Sequence, residues 1–419
     1  MSQVQTNRMR DQDQYAIAKP VLGLVNRVFA AEKLLLASLL ESLGNPPVRL
    51  VLWDGQEIAS QGSPPLARVL IRDRGALLKL LASPELQFGE MYTAERIEVD
   101  GNLAEFLEGI YRVMPRNRPG KLGQTLLARF YDAQRNTLSR SRSNVHHHYD
   151  IGNDFYKLWL DKQMVYTCAY FPSKTMGLEE AQIAKLDHVC RKLRLKPGER
   201  VVEAGCGWGA LALHMAKHYG VKVQAYNISK EQLAFARERA CAEGIDDRVE
   251  FIEDDYRMVR GEFDAFVSVG MLEHVGTDHY QELGTAINRS LTATGRGLIH
   301  SIGLDFPRPL DAWTERHIFP GACPPSLSQM MDILEPFEFS VLDVENLRLH
   351  YAKTLEHWLQ RYEAASGRVA EMFDPKFVRT WRLYLAGSFA AFKAGNMQLF
   401  QLLFSRSRNN QIPWTRDSF

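Results

Sequence analysis

Apolar and polar positions change their rhythm once along this chain. Over residues 48–113 short apolar runs at Val48–Trp53, Ala67–Ile71 and Arg96–Val99 read as strands. Between and around them, apolar residues three and four apart predict helices at Leu22–Leu43, Leu77–Leu81 and Leu103–Val113. From Leu178 the pattern alternates. Helix Leu178–Leu193 leads through the turn Lys196-Pro197-Gly198-Glu199 into strand Arg200–Glu203. Strands Lys222–Tyr226, Val249–Glu253, Phe263–Val269 and Gly297–Ser301 follow, with helices at Ala210–Tyr219, Lys230–Glu243 and Tyr280–Leu291. Strands separated by helices of this length predict a parallel sheet and an α/β fold. From Thr354 onward the pattern predicts helices alone, at Leu355–Ala365, Pro375–Ala394 and Met397–Phe404.

This change of rhythm divides the chain into three parts: a smaller α+β block over residues 1–114, a linker over 115–145, and a larger α/β domain with helical additions over 146–419. The linker is basic. Arg116, Arg118, Lys121, Arg129, Arg135, Arg140 and Arg142 stand there against Asp132 alone. Such a stretch suits anionic lipid headgroups or nucleic acid, and equally suits a solvated connector. The net charge of the whole chain is +1, which gives no reason to expect a nucleic-acid partner. Five scattered cysteines contain no C-x-x-C pair. The polar start, Met1–Gln14, is not a signal peptide, and no run of about 18 apolar residues occurs. The expectation is a cytoplasmic protein whose contact with any membrane is peripheral.

The candidate chemistry begins at Val201-Val202-Glu203-Ala204-Gly205-Cys206-Gly207-Trp208-Gly209, a strand, a tight turn and the start of a helix. In a doubly wound sheet this is where nucleotides bind. The spacing is E-x-G-x-G-x-G, not the G-x-G-x-x-G of dinucleotide folds. It is the form seen in S-adenosylmethionine-dependent methyltransferases, though a plain glycine turn also accounts for it. Glu203 is placed to accept from the cofactor's ammonium. After the second strand stands Asn227, where an acidic residue commonly holds ribose, with Gln232 one helical turn on. Ser229 serves equally well as a helix cap. Asp255 and Tyr256 after the third strand suit an adenine ring, and a turn also explains them. Three adjacent histidines, His146 to His148, cannot easily converge on one ion, so no metal site is expected.

Two further clusters are more specific. One is His147-His148-Tyr149-Asp150-Ile151-Gly152-Asn153, followed by Tyr166-Thr167-Cys168-Ala169-Tyr170-Phe171; the other is Gly270-Met271-Leu272-Glu273-His274, followed by His300-Ser301-Ile302-Gly303. With the glycine loop, and with Gln398–Arg406 near the C-terminus, they resemble the cyclopropane fatty acid synthases and mycolic acid cyclopropane synthases. The resemblance runs from about His147 to Arg408. More loosely, Gly89-Glu90-Met91-Tyr92 resembles the smaller lipid-associated domain of the bacterial phospholipid enzymes.

The resemblance implies a Rossmann-like S-adenosylmethionine-dependent methyltransferase fold. Its cofactor set includes Tyr149, Tyr166 and Trp208 beside Glu203, Gly205, Gly207, Asn227, Gln232, Asp255 and Tyr256. It implies an enzyme that adds a methylene group across a cis double bond of an unsaturated phospholipid acyl chain at the inner membrane face. Methyl transfer leaves a carbocation, and a bound bicarbonate removes a proton so that the ring closes. The matching bicarbonate positions are Cys168, Glu273, His300, Tyr351 and the backbone at Ile302. Tyr170, Phe171 and Trp208 are candidates to face the cation. A homodimer is expected by the same likeness. The alternative product is a methylene or methyl-branched chain made from the same alkene. The sequence departs from the family at Asn227 and Ser301, where threonine is usual, and at Ala210, where glycine often stands.

Overall fold

The computed structural model describes residues 32–60, 64–115 and 151–416, in two compact units that divide between Arg116 and Asn117. Tyr149, the three adjacent histidines, the basic residues Arg116 to Arg142 and the first part of the expected Leu22–Leu43 helix lie outside the described residues.

The first unit is a four-stranded sheet in the order β2-β1-β3-β4, where β1 is Val48–Leu52, β2 Glu57–Ala59, β3 Ala67–Ile71 and β4 Ile97–Asp100. β1 and β3 run parallel, and the other two pairings are antiparallel. Helices occupy residues 32–42, Arg74–Ala82, Pro84–Thr93 and Leu103–Val113. Asp73 caps the second of these by accepting from Ala76 N–H, and Arg96 grips the same carboxylate. The sequence pattern missed β2, which is three residues long, and the helix opened by Pro84, whose ring suits the first helical turn.

The second unit carries a seven-stranded sheet in the order β10-β11-β9-β8-β5-β6-β7. Its strands are β5 Arg200–Ala204, β6 Lys222–Asn227, β7 Val249–Glu253, β8 Phe263–Val269, β9 Leu291–Gly303, β10 Phe339–Asn346 and β11 Gln398–Arg406. The five strands from β9 to β7 are parallel, and β11 and β10 are antiparallel additions at one edge. The helices that matter for the site are α1 Leu178–Lys192, α2 Ala210–Tyr219, α3 Lys230–Glu243, α4 Tyr280–Ser290, α5 Arg348–Met372 and α6 Pro375–Ala394. After β7 the chain crosses to the other side of β5, so the sheet reverses its winding between β5 and β8. Ligands of doubly wound folds bind at that point, outside the carboxyl ends of the strands.

One expected helix is a strand. Met397–Phe404 was read as helical from its continuous apolar run, but Gln398–Arg406 forms β11 between β9 and β10. Seven consecutive residues of β11 are buried because both of its faces are covered, and such a run has no period to distinguish strand from helix. Gly395, at φ +83°, ends α6 and turns the chain into the sheet. Leu355–Ala365 is the middle of a longer helix, α5, which begins early enough to carry Tyr351.

Candidate active site

The principal cavity lies at the winding reversal. β5 delivers Glu203, and the loop after it delivers Gly205, Gly207 and Trp208. β6 ends at Asn227, α3 begins near Gln232, and Asp255 and Tyr256 follow β7; all of these, with Tyr166, line the cavity. Gly207 has φ +53°, and a Cβ built on it meets no protein atom within 4 Å, so its backbone faces open space. Gly209 has φ +81°, and a Cβ there would stand 2.8 Å from Ala236 and from the Phe251 ring, which lets α2 begin close against its neighbours. The cavity is also lined by Thr167, Lys185, Met271 and His274, which the sequence reading did not single out.

The side chains that form the walls are braced by one another. Trp208 Nε1 donates to Asn153 Oδ1 at 2.7 Å. Asn227 donates from Nδ2 to Gly207 O (3.2 Å) and Gln232 Oε1 (2.8 Å), and its Oδ1 accepts from the N–H groups of Ile228 and Ser229. Asn227 therefore ties the glycine loop to the start of α3, where Ser229 is the cap. Asp255 accepts from Arg257 N–H and pairs with its guanidinium at 3.3 Å, while that guanidinium lies 4.9 Å from the centre of the Tyr256 ring.

Two ionisable groups line this cavity. Glu203 is buried, its Oε2 has no hydrogen-bond partner in the protein, and burial pushes its carboxyl up to about 8 against the pull of Lys185. Burial pushes Lys185 down to about 8, opposed by Asp161, Cys168 and Glu203. Lys185 donates to Thr167 Oγ1 at 3.0 Å, so it also fixes the segment that carries Cys168.

The reacting candidates cluster beyond Gly270 and Met271. Gly270 N–H donates to His300 O, and Ile302 N–H donates to Glu273 Oε1 at 2.6 Å. The Ile302 backbone, which the family resemblance gives to bicarbonate, thus has its N–H on the Glu273 carboxyl. Glu273 Oε2 and His300 Nε2 are both buried without a partner. Burial pushes the Glu273 carboxyl up to about 7, and burial followed by Lys185 and Lys192 holds His300 down to about 3. Opposite Ile302 on β11 stands Leu399, whose carbonyl accepts from Leu347 N–H; Tyr351 lies one turn further along α5. On the same face of α5, Thr354 accepts from Ala169 N–H at 3.0 Å, which ties the segment carrying Cys168 to the helix carrying Tyr351. Burial pushes the Cys168 thiol far above its ordinary range, and the thiol donates to Ala169 O.

A row of rings joins the two regions. Trp208 lies 5.2 Å from Tyr156, Tyr156 5.4 Å from Tyr166, Tyr166 5.3 Å from Trp358, and Trp358 5.9 Å from Tyr351. The Tyr166 and Tyr384 hydroxyls share a 2.7 Å hydrogen bond. Tyr170 and Phe171, named with Trp208 as candidates to face the cation, stack on histidines: Tyr170 on His188 and His350, Phe171 on His357.

The winding order, the glycine loop and the cavity at its mouth define an S-adenosylmethionine-dependent methyltransferase. The protein belongs to the mycolic acid cyclopropane synthetase family, whose model matches residues 136–402. Residues 35–115 match a domain family of unknown function. A "Probable fatty acid methyltransferase" of Pseudomonas putida is 35% identical over 387 residues, covering 88% of this chain and 95% of that protein. The "Cyclopropane-fatty-acyl-phospholipid synthase" of Escherichia coli K12 is 38% identical, covering 85% and 92%. A mycolic acid cyclopropane synthase solved with SAH and CTAB superposes with a TM-score of 0.60 at 30% identity, covering 63% of this chain and 98% of that one.

Proposed function

We propose that the protein builds a cyclopropane ring on a cis double bond of an unsaturated phospholipid acyl chain. S-adenosylmethionine is the one-carbon donor and bicarbonate the base. The observation that carries this reading is that Glu273 Oε2 and His300 Nε2 are both buried without a protein partner, on residues joined to the cavity-lining Gly270, Met271 and His274. Buried polar atoms are usually paired, and a small anion would satisfy both of these. The open space at Gly207 and the orphaned Glu203 Oε2 fit a cationic cofactor in the same way.

When bound, S-adenosylmethionine supplies an electrophilic methyl group and bicarbonate supplies a small base. The chain's own groups do the rest. Glu203 accepts from the donor's ammonium, and Gly207 lets the backbone approach. Glu273, fixed by Ile302 N–H, accepts a hydrogen bond through Oε2. His300 and the Tyr351 phenol hold the anion. Cys168 stays a neutral thiol because of its burial, so it forms no covalent intermediate. Rings of the row from Trp208 to Tyr351 offer their π-clouds to the developing cation. Contact with the bilayer is at its surface, with Arg116 to Arg142 on anionic headgroups. Among the described residues no helix is long and apolar enough to cross a membrane.

The likeness to the Pseudomonas putida protein favours a second reading, a methylene or methyl-branched product. Expression in a host rich in monounsaturated lipids, followed by mass spectrometry of the fatty acids, separates them. A chain heavier than its monounsaturated parent by one carbon and two hydrogens that does not react with dimethyl disulfide is the ring, whereas a saturated methyl-branched chain carries two hydrogens more. A product that still adds the reagent rejects cyclopropanation. Purified enzyme stripped of bicarbonate should regain rate when bicarbonate is restored; no response rejects the assigned base.

A further inference from the structure

Next to His300 the fold buries a chain of polar groups, outside the cavity lining, that the reaction outlined above leaves unused. Gln401 on β11 is paired directly across from His300 on β9, and its Nε2 lies 3.0 Å from His300 Nδ1. Its Oε1 accepts from Lys192 Nζ at 3.2 Å. Lys192, at the end of α1, is 1% exposed. Its ammonium also pairs with Asp343 and Glu345 on β10, both at 2.9 Å. His188 closes the cluster with a 2.7 Å contact to the same Glu345 oxygen.

The donors and acceptors in this chain admit one arrangement. An ammonium only donates, so the atom of Gln401 facing Lys192 is the carbonyl oxygen. The amide nitrogen therefore faces His300, and an amide nitrogen only donates. His300 Nδ1 must accept, which leaves the ring's proton on Nε2. Nε2 is the atom that is buried with no partner in the protein.

We propose that Lys192, acting through Gln401, locks His300 as the Nε2–H tautomer, so that His300 meets the reacting site only as a hydrogen-bond donor. Lys192 and Gln401 are then positioning residues. Both ring nitrogens are committed, so His300 cannot take the proton released at ring closure. It holds an anion that does. The tautomer follows from the protein's own hydrogen bonds, whereas the donor role rests on the reading given under Proposed function. A ring in a buried site flanked by Lys185 and Lys192 stays neutral, in keeping with its depressed basicity.

The test is a long-range proton–nitrogen correlation spectrum of the full-length protein with labelled histidine, the His300 signals being assigned by their loss in His300→Gln. The expected signature is a protonated Nε2 and a bare Nδ1. In Gln401→Glu the carboxylate should accept from Nδ1–H and invert the tautomer. Turnover should fall about 100-fold, as for loss of one donor to a reacting anion, with cofactor affinity within about twofold. Gln401→Met should give a mixture of both tautomers. A wild-type ring protonated at Nδ1 overturns the proposal without need of any variant, and so does a Gln401→Glu ring that keeps Nε2–H. An inverted tautomer with full turnover overturns the donor role and removes His300 from the reacting site, while the Lys192–Gln401 relay stands.

Discussion

Replacing Glu273 by glutamine separates the acid–base role of this side chain from its shape. The carbonyl of glutamine can keep the Ile302 N–H bond now made by Oε1. Its amide nitrogen falls where Oε2 has no partner, so an acceptor becomes a donor. A hydrogen bond to a charged group contributes about 2–3 kcal/mol, which corresponds to roughly 100-fold in turnover. Stability should move the other way. Burial raises the Glu273 carboxyl to about 7 from an ordinary 4.5. A raised carboxyl contributes nothing unfavourable below pH 4.5, and its cost grows as pH rises through 7. At pH 8 this amounts to about 3 kcal/mol, of which the unpartnered amide returns about 1. Glu273→Gln should therefore be about 2 kcal/mol more stable than the parent at pH 8 and about 1 kcal/mol less stable below pH 4.5. Denaturant titrations at the two pH values measure this. Transfer of labelled methyl into liposomes of monounsaturated phospholipid, beside calorimetric titration of the cofactor, measures the rest. Full turnover, or a variant less stable than the parent at pH 8, would refute the reasoning.

Gly207→Leu should weaken cofactor binding about tenfold or more by calorimetry while leaving a folded protein, since its side chain enters open space and the left-handed backbone costs only about 1–2 kcal/mol. Lys192→Met should cost about 3–5 kcal/mol in urea unfolding, because Asp343 and Glu345 lose the ammonium between them. Gly297→Ala should destabilise by about 1–3 kcal/mol, because its Cβ would press into the Phe404 ring where β9 meets β11; an unchanged urea midpoint would show that the ring can give way.

The sequence revealed elements where the chain marks its own ends. α2 runs between two left-handed glycines, and α3 runs from the Ser229 cap to Gly244, so both were readable to the residue. The glycine loop was readable for the same reason. β11 was not, because burial on both faces erases its period. β10 was not, because Asp343 and Glu345 break its apolar run; their reason for being there is Lys192 on a distant helix. Lys185 was overlooked because a lysine in a charged helix reads as solvated. Its burial comes from Thr167, Glu203 and Cys168, which are brought together only by the fold.

A common electrostatic direction connects these buried groups. Burial pushes Glu273 up to about 7, holds His274 down to about 4 and His300 to about 3, and lifts the Cys168 thiol. Each shift disfavours the charged form, so the protein holds few fixed charges where the proposed carbocation forms. A permanent carboxylate there would meet the cation with a nucleophile that is tethered and slow to leave. A wall with one carboxyl at Glu273, raised to about 7, and one donor at His300 Nε2 instead suits an anion that can be exchanged. Paired charge stands instead in the Lys192 cluster with Asp343 and Glu345, and from there it reaches the site only as the orientation of one amide and one imidazole.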